Sequence, residues 1–264
     1  MKLKMPENVL PGAEGFYLEG TKSAGVMLIH GGGGGTAADM REIGQFIHEE
    51  TGYSVLAPLL PGYGTRKEDL LPIQVEDWLN ALRQYFIELK NEVQKVFLLG
   101  HSMGGVLALY LAGEYSKRVA GVIAISTPIK IKGFLIKFVP IFKHIIKYWK
   151  LNDLEEFARV TNGIWAGYES IPLSVIGKFQ KLIKQNKKQL HRITAPVLII
   201  QGHRDEFVTK GSPTHIFENV SSTDKTIKWF DSDHAILFSK IKIDMFSHVV
   251  EFLKKYGFRN SYEK

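Results

Sequence analysis

The 264-residue chain contains no cysteine, which removes a disulfide framework, a cysteine nucleophile, a thiolate zinc site and an iron–sulfur cluster together. Compartment stays open on that count. A signal-peptide core is also lacking, because Lys2 and Lys4 are followed by Pro6 and Glu7 before any apolar run develops. A cytoplasmic location is the expectation. Val96 to Gly113 is apolar enough to raise a membrane span, but Gly100, His101 and Ser102 interrupt it where a strand should end and a helix begin. Internal repeats and simple-sequence segments are absent apart from the glycines at 31 to 35. No nucleic-acid-reading motif is present, and nucleic acid is excluded as a partner.

What the chain does have is enough apolar material for a sizeable core, at 45% hydrophobic and 23% charged residues. Its length suits one elaborated domain or two small ones. The net charge of +7 is local: Lys130 to Lys150 holds six lysines (130, 132, 137, 143, 147 and 150) and no acid.

Short apolar runs alternate with helical patterns, the mark of parallel strands joined by helices. Strands are expected at Phe16–Glu19, Val26–His30, Ser54–Ala57, Val96–Leu99, Val119–Ile125, Val197–Gln201 and Thr226–Phe230. Helices are expected at Ala37–Glu50, Val75–Lys90, Ser102–Tyr115, Pro213–Val220 and Ile241–Tyr256. From Pro128 to His191 the rhythm breaks. That stretch carries helical periodicity and lysines but no convincing strand, and reads as an insertion over the sheet edge.

The strongest chemical signal is Gly100-His101-Ser102-Met103-Gly104, directly after Val96–Leu99 and before the apolar run Val106–Tyr110. A sharp strand-to-helix turn needs glycine on both sides and lifts the serine hydroxyl clear of the sheet. The helix start beyond it favours an oxyanion. The bland alternative is a tight turn with a capping serine. A serine hydroxyl needs a base and an acid, which in this architecture follow in the order acid then histidine, each after a later strand. Asp205 lies four residues after Gln201, and His234 four residues after Phe230. His203 and His101 are the rival bases, but His203 precedes the acid in its own loop and His101 faces away from a neighbouring serine. Glu206, Asp231 and Asp233 are the rival acids, the last two being equally suited to capping a turn or helix.

His30 and the glycines at 31 to 35 follow the Val26–Ile29 run. The run lacks the lysine and hydroxyl residue of a phosphate loop, and Thr36 breaks the dinucleotide spacing. A backbone able to approach a ligand closely remains, with the amides of Gly32 and Met103 as expected oxyanion donors. Glycine at 32 also suggests a roomier acyl pocket.

These motifs resemble the α/β-hydrolase superfamily, and more narrowly the small, capped, serine-dependent carboxylesterases and monoacylglycerol lipases of bacteria and archaea. The resemblance spans nearly the whole chain. Besides Gly100–Gly105, it rests on His30-Gly31, on the stretch from Ala57 to Gly64, on Asp77-Trp78, on Gly202, Asp205 and Val208, and on Ser232 with His234. It implies Ser102 as nucleophile, Asp205 as acid, His234 as base, and Gly32 and Met103 as oxyanion donors. It also implies an α/β-hydrolase core at 1–128 and 192–264, with a mostly parallel central sheet, helices on both faces, and an inserted helical cap at 129–191. Those relatives often carry a bulky residue where this chain has Gly32. The segment Tyr168–Leu173 is similar to a cap segment, making Tyr168 and Ile171 candidate substrate contacts.

The expected activity is hydrolysis of short- to medium-chain acyl esters or monoacylglycerols, with a small-molecule ester as partner and no metal or organic cofactor. The aspartate-nucleophile branches of the superfamily would need an acid at 102. A ligand-binding protein with little turnover, a cofactor-free haloperoxidase and an interfacial lipase are the alternatives. Lys130 to Lys150 mixes lysines with large apolar residues around Pro140, which suits a cap helix with its lysines in water. Weak contact with an anionic lipid surface is its second reading.

Overall fold

A computed structural model of the chain describes residues 3–130, 147–150 and 166–257. Seven strands form the main sheet: β1 (Phe16–Leu18), β2 (Thr21–Ile29), β3 (Tyr53–Ala57), β4 (Lys95–His101), β5 (Val119–Ile125), β8 (Val197–Gly202) and β9 (Lys225–Phe230). Their spatial order is β1-β3-β2-β4-β5-β8-β9. Only β1 runs antiparallel to its neighbour; the other pairs are parallel.

Helices α1 (Arg41–Thr51), α2 (Val75–Glu92), α3 (Met103–Glu114), α4 (Leu173–Lys187) and α5 (Gly211–Asn219) lie on those parallel connections, and α6 (Lys242–Gly257) follows the last strand. Because strand side chains alternate, one strand feeds two cores. In β2, Met27 and Ile29 pack among residues of α2 and α3, while Val26 and Leu28 pack among residues of α1 and α6. Helix α3 is apolar on nearly every side because β4, β5 and α4 surround it. Burial inside the protein therefore accounts for the hydrophobic stretch from Val96 to Gly113. Among the described residues no helix is long and apolar enough to cross a membrane.

The region inserted between β5 and β8 corrects one expectation. It holds two short strands, β6 (Tyr148–Lys150) and β7 (Ser170–Pro172), paired antiparallel with Trp149 opposite Ile171. Three-residue strands are too short to show an alternation, and the paired residues lie 20 to 24 positions apart, so local pattern gives no sign of them. Of the basic stretch, residues 131–146 lie outside the described residues. Within the described part, Lys147 Nζ stands 5.5 Å from the centre of the Tyr148 ring, and Lys150 pairs with Glu169 at 2.7 Å.

Candidate active site

Ser102 occupies the junction between β4 and α3, at φ 54° and ψ −119°. Such a conformation is costly for a residue with a Cβ and persists only where the surroundings enforce it. Here the Ser102 amide donates to the Ile125 carbonyl at 2.9 Å, and the Ser102 carbonyl accepts from Gly105 at 3.0 Å. Glycines make the turn passable: a methyl at Gly100 would collide with the backbone of Gly104, and one at Gly104 with the carbonyls of Ile29 and His30. The serine hydroxyl is thereby held at the carboxyl end of the sheet.

Two loops at the same end bring the other groups. His234 Nε2 lies 3.1 Å from Ser102 Oγ, and His234 Nδ1 lies 2.9 Å from Asp205 Oδ2. Asp205 is 3% exposed. Its Oδ1 accepts from the amides of Phe207 and Val208, each at 2.9 Å, and its Oδ2 accepts from Gln201 Nε2 at 2.8 Å. Burial is the largest single influence on this carboxyl and opposes its ionisation. The hydrogen bond and charge of His234, with the bonds from Val208 and Gln201, together outweigh it and hold the pKa at about 2. The carboxylate therefore stays ionised beside Nδ1, which fixes Nδ1 as the protonated nitrogen and leaves Nε2 to accept from the serine.

The rivals take other parts. His101 Nε2 donates to the His234 carbonyl at 3.0 Å, so its ring braces the loop that carries His234. Burial, with the neighbouring His234 charge, lowers the His101 pKa to about 3 and keeps it neutral. His203 stacks on Trp229 with ring centres 5.1 Å apart. Asp231 pairs with Arg204, and Asp233 Oδ1 accepts from the Ala235 amide at 2.9 Å, the capping role open to it in the sequence. Glu206 is exposed.

The glycine loop runs alongside the serine. A methyl at Gly31 would stand 3.6 Å from Ser102 Cβ, and one at Gly32 would stand 3.0 Å from Met103 Cβ. Met103 opens α3, so its amide is among the first-turn donors with no acceptor inside the helix. The expected extra room at Gly32 is not there. A methyl at that position would lie 2.5 Å from Met103 Sδ, so the missing side chain makes space for buried Met103 instead of for substrate. His30, fully buried with its pKa lowered by burial to about 4, donates from Nδ1 to the Gly31 carbonyl at 2.8 Å and accepts from the Leu60 amide at 3.1 Å. That bond fixes the peptide plane whose other end is the Gly32 amide.

Tyr168 and Ile171, expected over the substrate, are both buried. Tyr168 stacks on Tyr63 with ring centres 6.4 Å apart and bonds to core loops through its hydroxyl. Pattern reading also missed Gln201, Tyr63 and the brace made by His101. Phe207 was missed as well. It is 50% exposed, and its ring centre lies 5.1 Å from that of His234. An aromatic two positions after Asp205 was the available signal.

This sheet order, with a serine at the turn after β4 and an imidazole and carboxylate from the two later loops, is the arrangement of the α/β-hydrolase fold in its serine-dependent form. A family model described as serine aminopeptidase, S33, matches residues 20–240, and the chain belongs to that family. It is 33% identical over 228 residues to a thermostable monoacylglycerol lipase of Bacillus sp. (strain H-257), covering 83% of this chain and 85% of the relative. It is 28% identical over 247 residues to a carboxylesterase of Bacillus subtilis (strain 168), covering 91% and 96%. In fold it is similar to a metagenome-derived lipolytic enzyme of the LipS and LipT pair, with a TM-score of 0.84, 24% identity, and coverage of 94% and 100%. A Paleococcus ferrophilus monoacylglycerol lipase superposes with a TM-score of 0.76 at 21% identity, covering 92% and 98%.

Proposed function

We infer that the chain hydrolyses carboxylic esters, with short- to medium-chain acyl esters or monoacylglycerols as substrates, through an acyl intermediate on Ser102. The observation that carries this reading is the continuous line of 3.1 and 2.9 Å contacts from Ser102 Oγ through His234 to buried Asp205. His234 Nε2 takes the serine proton as Oγ attacks the ester carbonyl. Asp205 holds the imidazole and stabilises the imidazolium. The amides of Gly32 and Met103 receive the tetrahedral oxyanion. His234 then protonates the departing alcohol, and in the second half it activates water to release the acid.

The names of the two Bacillus relatives support ester chemistry and leave the alcohol open between simple esters and monoacylglycerols. Phe207, half exposed beside the imidazole that hands over the proton, presents an apolar wall to the leaving alcohol. Residues 129–191 are assigned as the cap and the remainder as the catalytic core. A ligand-binding protein of the same fold would not need the complete relay. Replacement Ser102→Ala is expected to abolish hydrolysis of p-nitrophenyl esters while the thermal transition stays in place; unchanged turnover would reject the assignment. Rates on p-nitrophenyl esters of increasing acyl length, set beside monoacylglycerols, then define the substrate.

A further inference from the structure

The amide proposed to receive the oxyanion sits on a five-glycine loop, and glycine peptides rotate freely unless something holds them. Two bonds pin the peptides on either side of Gly32. His30 Nδ1 holds the Gly31 carbonyl at 2.8 Å, and the Tyr63 hydroxyl donates to the Gly32 carbonyl at 3.1 Å. Tyr63 is itself fully buried, its ring edge-on to His30 with centres 5.1 Å apart and tilted against Trp78 at 6.3 Å.

The loop that carries Tyr63 is fastened from outside the core. Tyr168, on the return of the inserted region, lies nearly parallel to Tyr63 at an interplanar angle of 14°. Its hydroxyl donates to the Gly62 carbonyl at 3.1 Å and accepts from the Thr65 amide at 2.9 Å, bracketing Tyr63. The same return segment grips the glycine loop directly: the Tyr168 amide donates to the Gly34 carbonyl at 2.9 Å, and Thr36 Oγ1 donates to the Ala166 carbonyl at 2.6 Å. Of these bonds, those made by the two tyrosines reach closest to Gly32, through the Gly32 carbonyl itself and the loop that carries Tyr63.

We propose that Tyr63 and Tyr168 form a positioning pair that transmits the seating of the return segment, residues 166–172, to the oxyanion loop, so that Gly32 is correctly aimed only when that segment is seated. Neither tyrosine touches the reacting atoms. Each acts through the orientation of the glycine peptides. The pair therefore works on the transition state and leaves ground-state binding of the ester alone. This rests on the reading of Gly32 as an oxyanion donor.

The test uses the full-length chain, p-nitrophenyl butyrate as substrate, and a trifluoromethyl ketone that forms a tetrahedral adduct on the serine. Tyr63→Phe keeps the stacked ring and removes only the hydroxyl. It is expected to lower kcat by about tenfold, the weight of one buried hydrogen bond. KM is expected to stay within about twofold, and the inhibition constant of the ketone to rise by the same factor as kcat falls. Tyr168→Phe should shift both quantities in the same direction by about threefold, as an indirect support one step removed. A purely structural role would lower the melting temperature and leave kcat and ketone affinity of the folded variant at wild-type values, which overturns the proposal. Should Tyr63→Phe fail to fold, Tyr168→Phe decides the question by the same two readouts. A wild-type chain that neither turns over the ester nor binds the ketone would overturn the underlying hydrolase reading and this proposal with it. An active wild type beside equally active variants would overturn this proposal alone.

Discussion

Two single residues carry predictions that follow from their surroundings. Asp39 is buried in the short helical turn after the glycine loop, and burial, opposed by a bond from the Thr36 backbone, raises its pKa to about 8. In the unfolded chain the same carboxyl ionises near 3.8. Between those values the folded state keeps a proton that the unfolded state releases, so this group makes the protein less stable as pH rises toward 8. Asp39→Asn is expected to remove the loss of stability between pH 6.5 and pH 8, read from urea midpoints. A variant that loses as much as wild type would contradict the assignment. At Gly32, an added methyl must displace Met103, and overpacking of that kind costs about 1–3 kcal/mol. Gly32→Ala should lower both melting temperature and turnover, and Met103→Ala in the same chain should restore much of the first. Neither position betrays its role in the sequence. Asp39 reads as an ordinary acid in a helix start, and Gly32 reads as open space until the side chain that fills it is placed. By contrast the positions of Ser102, Asp205 and His234 are readable because each follows a strand expected from the sequence.

Elements differ in how openly the chain declares them. Strands β4, β5 and β8 are fully or almost fully buried and appear as unbroken apolar runs, and α2 declares its start through Asp77, whose carboxylate accepts from the Gln74 amide at 2.7 Å. Strand β2 begins at Thr21, earlier than its apolar run, because the first residues are exposed and paired through a register shift between Thr21 and Gly25. The pair β6 and β7 is invisible to periodicity, and so are the bonds from Tyr168 to residues 106 and 103 positions away. Glycines separate the elements that tolerate change from those that do not. Gly104→Ala places a methyl against the carbonyls of Ile29 and His30, so the turn after β4 cannot close. Soluble folded protein and activity are expected to fall together. Gly211→Ala, at the start of α5, meets nothing within 4 Å. There the change should stabilise by about 0.4–1 kcal/mol through the unfolded chain, with activity unaltered; a lower melting temperature would contradict the placement.

For the whole molecule, three buried groups set a stability profile. His30 and His101 have pKa values lowered to about 4 and about 3 from 6.5, while Asp39 is raised to about 8. Histidines buried neutral stabilise fully above 6.5, and that stability is lost as pH falls toward their folded values. Asp39 acts in the opposite sense above pH 4. Stability should therefore peak near about pH 6.5 and decline on both sides, as urea midpoints across pH 4 to 8 would show. A profile rising steadily to pH 8 would contradict it. The two-faced sheet was legible as an alternation of strand and helix, and the chain's membership of a serine-hydrolase family agrees with the resemblance its motifs carry. Long-range fastening of the inserted region was not legible, since it depends on side chains meeting across loops far apart in sequence. In the proposed mechanism Ser102 is a nucleophile activated by His234. Incubation with a fluorophosphonate, followed by peptide mass spectrometry, measures this directly. A single stoichiometric adduct on Ser102 is expected, forming far more slowly in His234→Asn. An adduct on another residue, or labelling of Ser102 at an equal rate without the imidazole, would contradict it.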